Sequence, residues 1–264
     1  MIKSIGFGGV LHEFFYDKKV SVSIDTLSYD IEAEIKVFVN MEPNCVINNS
    51  KEVIDNNSKF DLILTFKDEI LKNCPNSKKF ILGATTFTKS NTDFKLEEFS
   101  MDKKNEISYL TSSKKQTEGH IFRHNVLNFL SSKKLDKFNI KTITSPPYIP
   151  TKQPIFENAK FSIIIENGKY QNYISEKLID CLVTKTIPLY WGAPNVSEFF
   201  NSKGIITFNT IEELNNILDN LDPNMYEKSV DYIEENYLES KKYLDFHGRL
   251  KNEIELLING QTFF

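Results

Sequence analysis

The residue types best able to do chemistry are concentrated in one stretch, residues 161–178, whose sequence is FSIIIENGKYQNYISEKL. An apolar run ends at Glu166, and a polar loop then leads to Ser175, Glu176 and Lys177. A helix that begins near Ser175 presents free backbone N–H groups and a positive partial charge, which attract phosphate. Lys177 adds a full charge, and Glu176 can accept hydrogen bonds from two ribose hydroxyls. The pattern fits a nucleotide-diphosphate site, and it fits equally an ordinary strand–helix junction with a solvated Glu and Lys.

Arginine is rare in this chain, since only Arg123 and Arg249 occur among the 32 basic residues. The arginine side chain presents a planar fork of donors that lysine cannot reproduce. An arginine that persists in so lysine-rich a sequence is either kept for that geometry or a chance survivor. Arg123 is therefore a second candidate for binding an anion.

The apolar patterns predict an α/β fold in which short strands alternate with helices. A polar stretch with many charges and little periodicity, Lys89–Asn105, is interpreted as a linker or a long surface loop. Before it, the predicted strands are Ile2–Phe7, Val20–Ile24, Glu34–Val39, Phe60–Phe66 and Lys79–Thr85.

A second alternation follows the linker. Three consecutive isoleucines in Phe161–Glu166 predict a central parallel strand that is buried on both faces, and apolar spacing predicts an amphipathic helix over Tyr173–Thr184. The helical tail, Met225–Ile258, is predicted in two pieces, and we expect its part from about Tyr237 to pack against the first domain, because its apolar stripe needs cover. The other predicted elements are strands at Glu106–Ser112, Ile140–Thr144, Ile187–Trp191 and Gly204–Phe208, helices at Gly119–Ser132 and from the capping box at Thr210 to about Leu221, and a proline-rich loop at Pro146–Pro154.

Two such blocks predict two doubly wound α/β domains. We place them at residues 1–105, which includes the linker from about residue 89, and at residues 106–264. In folds of this kind a ligand binds beyond the carboxyl ends of the strands. The most natural place for it here is the cleft between the domains.

Composition excludes several classes of protein. The net charge of −4 lacks the basic excess that sequence-independent nucleic-acid binding requires. No stretch approaches the ~18 continuous apolar residues of a membrane span. The amino terminus has no signal-peptide pattern, and the three cysteines are widely spaced and odd in number, which fits a reducing compartment. We therefore expect a cytoplasmic protein without disulfides.

The motifs that are absent narrow the chemistry. The sequence has no phosphate-binding loop of the GxxxxGK[ST] type, and Gly6–Gly9 lacks the third glycine of a dinucleotide fingerprint. His120 and His124 are four residues apart but have no third metal ligand beside them. No D-x-D triplet occurs, and such carboxylates usually hold the metal ion of metal-dependent sugar transferases. We therefore expect no metal ion and no required cofactor.

The segment 161–178, continued by IPLYWGAPNV at residues 187–196, resembles the signature of the α-1,3/1,4-fucosyltransferases, glycosyltransferase family 10. That family shows a strand ending in F-E-N, a Y-[VI]-[ST]-E-K helix start, and a following [IV]-P-[IVL]-x-[YW]-G strand. Shorter stretches resemble the family in the right order along the chain. They are Val37–Pro43, Phe60–Phe66, Tyr109–Ser113 and Ile121–Arg123. Gly168 and Ser175 depart from the residues most common in the family.

The resemblance implies a GT-B-like fold of two Rossmann-like domains facing a cleft. It also implies an inverting, metal-independent glycosyltransferase that transfers L-fucose from GDP-fucose, or the sugar of a related GDP-sugar, to a hydroxyl of a glycan acceptor. Glu42 is then the general base. The implied donor-site residues are Arg123 and Lys177 for the diphosphate, Glu176 for the ribose, and Asn167 and Tyr173 lining the site.

Two other functions stay open at this stage. The chain could be a GT-B transferase that uses another nucleotide sugar, because no residue identified here contacts the fucose. It could also be an inactive relative that binds a glycan or a nucleotide. The acceptor and the oligomeric state are not predicted by the sequence.

Overall fold

The computed structural model describes residues 10–15, 18–87, 99–145 and 152–261, which form two compact units. The first contains the described residues up to Leu82, together with Gln171–Tyr173 and those from Asp245 onward. The second contains the described residues of 83–170 and 174–244. Within the described parts of the chain, no helix is long and apolar enough to cross a membrane.

The first unit is built on a sheet with the strand order β1-β2-β3-β4-β5. β1 is antiparallel to β2, and the other neighbours are parallel. Its core gathers Phe38, Val53, Phe60, Ile63, Ile70 and Cys74 between the sheet and two short helices. The elements are β1 (Val10–Phe15), β2 (Lys18–Ile24), β3 (Ile35–Val39), α1 (Ser50–Asp55), β4 (Leu62–Thr65), α2 (Asp68–Asn73) and β5 (Ser77–Lys79).

The second unit is built on a parallel sheet with the order β10-β9-β8-β6-β7. All residues of its central strand, Ala159–Ile165, are buried, as the isoleucine run predicts. Its elements are β6 (Lys104–Ser112), α3 (Glu118–Ser132), β7 (Asn139–Ser145), α4 (Gln153–Phe156), β8 (Ala159–Ile165), α5 (Glu176–Val183), β9 (Ile187–Trp191), β10 (Ile206–Thr207), α6 (Ile211–Asn220), α7 (Asn224–Lys228) and α8 (Val230–Ser240).

The last helix, α9 (Phe246–Ile258), belongs to the first unit. The ring of Phe246 meets that of Phe80 edge-on at 5.8 Å, and Arg249 donates to the carbonyl oxygens of Ile81 and Leu82. Phe246, Leu250 and Ile254 of α9 are buried. The expectation that the tail packs against the first domain is therefore confirmed for this helix, whereas the residues from Tyr237 to Leu244 belong to the second unit. The compact units accordingly differ from the sequence-based limits of 1–105 and 106–264.

Several predicted boundaries also differ from the structure. The strand predicted at Lys79–Thr85 is wrong beyond its first residue, since β5 ends at Lys79, and Gly83 and Ala84 have positive φ values of 55° and 68° that a strand does not contain. The tail consists of α7, α8, a short 3-10 turn and α9 rather than two pieces. The predicted strand Ile2–Phe7, the glycines of residues 6–9, most of the linker and most of the proline-rich loop lie outside the described residues.

Candidate functional site

The carboxyl end of β8 leads into Glu166, a wholly buried carboxylate. It accepts hydrogen bonds from the backbone N–H of Ser175 at 3.1 Å and from the Ser175 hydroxyl at 2.6 Å. Burial raises the pKa of Glu166, while the ammonium of Lys177, 3.8 Å away, opposes that rise. Glu166 therefore ties the end of the central strand to the start of α5.

Ser175 caps the amino terminus of α5, since its Oγ accepts from the backbone N–H of Lys177 at 3.2 Å. The helix begins at Glu176 rather than at Tyr173 as predicted, because Ser175 has an extended backbone, with φ −106° and ψ 179°, and serves as the N-cap. The strand, loop and capped helix start predicted from residues 161–178 are otherwise confirmed.

Two charged side chains project from the first turn of α5. Nζ of Lys177 lies 3.1 Å from Oε1 of Glu176, and Nζ of Lys152 lies 3.4 Å from the same oxygen. Burial opposes the negative charge of Glu176, but the two ammonium groups outweigh it and hold the pKa of this carboxyl below its usual range. Glu176 is therefore ionised at neutral pH and acts as a hydrogen-bond acceptor.

Arg123 reaches the same strand end from α3. Its Nε and Nη2 donate to the Ile165 carbonyl oxygen at 2.9 and 2.6 Å, and Nη2 also donates to Oδ1 of Asn167 at 3.0 Å. Arg123 is buried and Asn167 is half-buried. The guanidinium fork binds a backbone carbonyl and an amide oxygen, and a fixed positive charge lies beside the loop that follows β8. Binding of an anion by Arg123 stays a prediction.

The amino terminus of α3 approaches this loop so closely that residue 119 must be glycine. The backbone N–H of Gly119 donates to the Asn167 carbonyl oxygen at 3.0 Å, and a Cβ on Gly119 would lie 1.9 Å from the Glu166 carbonyl oxygen. Thr117 caps α3, and Nδ1 of His120 accepts the N–H of Thr117 in return. Burial and the nearby Arg123 lower the pKa of His120 to about 4, so it is neutral at pH 7.

Tyr173 lies in the first unit, whereas Arg123, Asn167, Glu176 and Lys177 lie in the second. The Tyr173 ring is buried and packs against Phe66 at a centroid distance of 5.3 Å. This contact gives Tyr173 a packing role within the first unit. Its predicted place in the donor site stays a prediction.

Glu42, the predicted general base, follows β3 in the first unit and is half-buried. The backbone N–H of Glu42 donates to both carboxylate oxygens of Asp25, at 3.3 and 3.2 Å. The Met41 N–H also donates to Asp25, at 2.9 Å. Asp25 was not predicted from the sequence, although its place directly after β2 indicates it, because parallel strands end at one edge of the sheet.

Among the described residues, no group of three or more His, Cys, Asp or Glu side chains is arranged to hold a metal ion. The charged residues of the second unit include two cations, Arg123 and Lys177, near a capped helix start. Such an arrangement can bind a diphosphate through positive charge and backbone N–H groups.

Comparison with known proteins gives one family. The family description "Glycosyltransferase family 10 (fucosyltransferase) C-term" matches residues 101–254. An α-(1,3)-fucosyltransferase, FucT of Helicobacter pylori, is 30% identical over 116 residues, which are 44% of this chain and 21% of that relative. The match to this relative therefore spans about a fifth of its length.

Two solved structures are similar to this chain. A crystal structure of an α1,3-fucosyltransferase with GDP has a TM-score of 0.51 and 19% identity, and the match covers 86% of this chain and 75% of that one. A structure of α1,3-fucosyltransferase with GDP-fucose has a TM-score of 0.46 and 18% identity, with 89% and 78% coverage. The first of these comparisons, together with the two mainly parallel sheets, confirms the GT-B-like α/β fold that the sequence resemblance implied.

Proposed function

This chain is a member of glycosyltransferase family 10, and on that premise we propose that it transfers L-fucose from GDP-fucose to a hydroxyl of a glycan acceptor. We further propose that the reaction inverts the anomeric centre and needs no metal ion. The observation that carries the proposal is the group formed by Arg123, Asn167, Glu176 and Lys177 around the end of β8 and the start of α5.

The donor half of the reaction is assigned to this group. Lys177 and the N–H groups at the start of α5 bind the diphosphate, and Arg123 adds a charge whose position is fixed by the Ile165 carbonyl. Glu176, ionised at neutral pH, accepts hydrogen bonds from the ribose hydroxyls. As the bond to the sugar breaks, the leaving GDP gains negative charge, and fixed cations and amides stabilise that charge without a metal.

The acceptor half is assigned to Glu42. Its carboxylate removes the proton from the acceptor hydroxyl while that oxygen forms a bond to the anomeric carbon, opposite the leaving GDP. Backside attack of this kind inverts the configuration. A positioned general base contributes about 10²–10⁴-fold to the rate. The backbone N–H of Glu42 is held by both carboxylate oxygens of Asp25, which supports its role as a positioned group.

A donor-hydrolysis screen tests the proposal. Purified protein is incubated with GDP-fucose, other GDP-sugars and UDP-sugars, each with and without EDTA, and released nucleotide is measured. We expect hydrolysis of GDP-fucose that EDTA does not reduce. Hydrolysis only of UDP-sugars, or only with added metal, would contradict the proposed donor or mechanism, and no hydrolysis together with GDP binding would indicate an inactive relative.

The Glu42→Gln variant is the control for the screen. It preserves size and hydrogen bonding but removes the basic carboxylate, so turnover should be lost while GDP still binds. Binding is measured from the GDP-induced rise in melting temperature, which corresponds to about 2.7 kcal/mol when GDP is present at 100 times its Kd.

We also propose a cytoplasmic location, which is supported by the sparse, unpatterned cysteines of the sequence. Cell fractionation with an antibody to the native protein tests this location.

A further inference from the structure

Buried polar side chains meet at the carboxyl edge of the first sheet. We call them the edge cluster. Each of them follows, ends or begins an element next to this edge, and each is at most 7% exposed. Polar groups with so little access to water must satisfy one another by hydrogen bonds. The members of the edge cluster are Asp25, Asn40, Asn49, Thr65 and Lys67.

Hydrogen bonds connect the cluster across three strands. Thr65 donates its hydroxyl to Oδ1 of Asn40 at 3.0 Å, and Nδ2 of Asn40 donates to Oδ1 of Asn49 at 3.3 Å. Nζ of Lys67 donates to the same Asn49 oxygen at 3.0 Å. Nδ2 of Asn49 donates to the backbone oxygen of Asp25 at 3.2 Å. The cluster therefore fixes the position of Asp25 from several sides.

Asp25 itself has an unusual backbone, with a φ of 53°. Aspartate and asparagine adopt this left-handed conformation more readily than most residues, and glycine does so most easily. The side chain of Asp25 also makes specific hydrogen bonds to the backbone. Its carboxylate accepts the N–H groups of Met41 and Glu42, the two residues that leave β3.

We propose that Asp25 is a positioning residue that holds the backbone of Glu42 in the geometry for proton removal. This inference rests on the proposed function of Glu42. Asp25 fixes both the N–H of Glu42 and the N–H before it, so the Glu42 side chain starts from a rigid backbone. A misplacement of about 1 Å at a reacting group can cost 10²-fold in rate. Burial raises the pKa of Asp25 and the Lys67 charge opposes that rise, which favours the ionised acceptor.

Two substitutions of Asp25 separate positioning from folding. Asp25→Gly suits the positive φ but removes both acceptor oxygens, and Asp25→Asn preserves the shape and one acceptor oxygen. We expect Asp25→Gly to lower kcat about 10- to 100-fold, with donor KM and GDP affinity within about twofold of wild type. Asp25→Asn should recover most of the lost kcat, because it can still accept the two N–H groups.

Asp61 provides a matched control in the same unit, because its Oδ2 accepts the backbone N–H of Lys36 at 2.7 Å. Asp61→Gly removes an aspartate that binds a backbone N–H away from Glu42, and should leave kcat unchanged. Amide hydrogen exchange gives a readout that does not depend on activity. The Met41 and Glu42 amides should exchange faster in Asp25→Gly than in Asp25→Asn.

The double variant Asp25→Gly/Glu42→Gln decides whether Asp25 acts through Glu42. We expect its turnover to equal that of Glu42→Gln alone. The positioning role would be overturned if Asp25→Gly had the kcat of wild type. It would also be overturned if the turnover of the double variant were a further 10- to 100-fold below that of Glu42→Gln alone. Wild-type turnover in Glu42→Gln, or an inactive wild-type protein, would instead overturn the proposed function and this inference with it.

Discussion

Replacing Arg123 by lysine tests whether the guanidinium fork, and not only its charge, builds the donor site. In the structure the side chain makes two bonds to the Ile165 carbonyl oxygen and one to Asn167. An ammonium at this position carries the charge but cannot present two parallel donors in one plane. We expect Arg123→Lys to lose at least one of these charge-assisted bonds, each worth about 1.5–3 kcal/mol.

The loss should be visible in stability and in binding. For a chain of this size, 1 kcal/mol lowers the melting temperature by roughly 2–4 °C, so the variant should melt roughly 3–12 °C lower. The loop after β8 would be less firmly held, and the positive charge would be displaced. GDP affinity should therefore fall about tenfold or more, which corresponds to about 1.4 kcal/mol of binding free energy for each factor of ten.

Arg249→Lys is the matched control, since Arg249 also binds backbone carbonyls. Its Nη1 and Nη2 donate to the oxygens of Ile81 and Leu82 at 2.8 and 2.6 Å, and its guanidinium lies 4.8 Å from the Phe80 ring centre. Thermal melts with and without GDP, and calorimetric titrations, compare the two variants. Both should be destabilised, but only Arg123→Lys should lose GDP affinity. If Arg123→Lys binds GDP as wild type does, Arg123 is a structural anchor and the reasoning is refuted.

Three further predictions address single side chains. Glu176→Ala should abolish any preference for GDP over 2′-deoxy-GDP, because its carboxylate is the proposed ribose acceptor; calorimetry with both nucleotides checks this, and a retained preference would exclude the contact. Burial raises the pKa of Asp180 from 3.8 to about 6, so the folded protein binds this proton more tightly than the unfolded chain, and the stability that Asp180 contributes should fall by about 2 kcal/mol between pH 4 and pH 6. Urea melts of wild type and Asp180→Asn across that range should therefore diverge, and parallel curves would contradict the shift. Gly119→Ala should destabilise the protein by about 1–3 kcal/mol or more, because its Cβ would overlap the backbone of the loop after β8; an unchanged melting temperature would show that α3 can move away.

Several strands and the longer helices could be predicted because the apolar pattern of each element is local in the sequence. Three buried strands, β3, β4 and β9, lie within the ranges predicted from their apolar runs, and β8 begins two residues before its predicted range. The helices α1 and α2 were not predicted. They are six residues long, which is too short for a helical period to appear, and their N-cap side chains make no capping hydrogen bond.

The donor group could be predicted in part for the same reason. Glu166, Ser175 and Lys177 lie within twelve residues of one another in a strand–loop–helix segment, so their proximity follows from local structure. Arg123 was predicted as a site residue from the rarity of arginine and from the family resemblance. Its contact with Ile165, 42 residues away in the chain, was not predicted. Tyr173 was grouped with this segment by sequence, but its ring packs against Phe66, far away in the chain.

The edge cluster could not be predicted from spacing, because its members come together only when three strands are aligned. Asp25 and Lys67 are separated by two strands and α1, and no sequence pattern links them. Their common feature is position, since both come at or just after the carboxyl end of a parallel strand. The residues that directly follow three of the predicted strands are polar members of this cluster, Asp25, Asn40 and Lys67.

The two units share one feature, a buried carboxylate at the end of a strand that binds the backbone of a segment proposed to take part in the reaction. In the first unit Asp25 accepts the N–H of Glu42, and in the second Glu166 accepts the N–H of Ser175, next to Glu176. A buried carboxylate is costly unless it is hydrogen-bonded or paired. Here that free-energy cost is offset by hydrogen bonds from backbone N–H groups of the segment that the carboxylate holds in place. The same bonds that satisfy the carboxylate therefore limit the motion of the residues proposed to react.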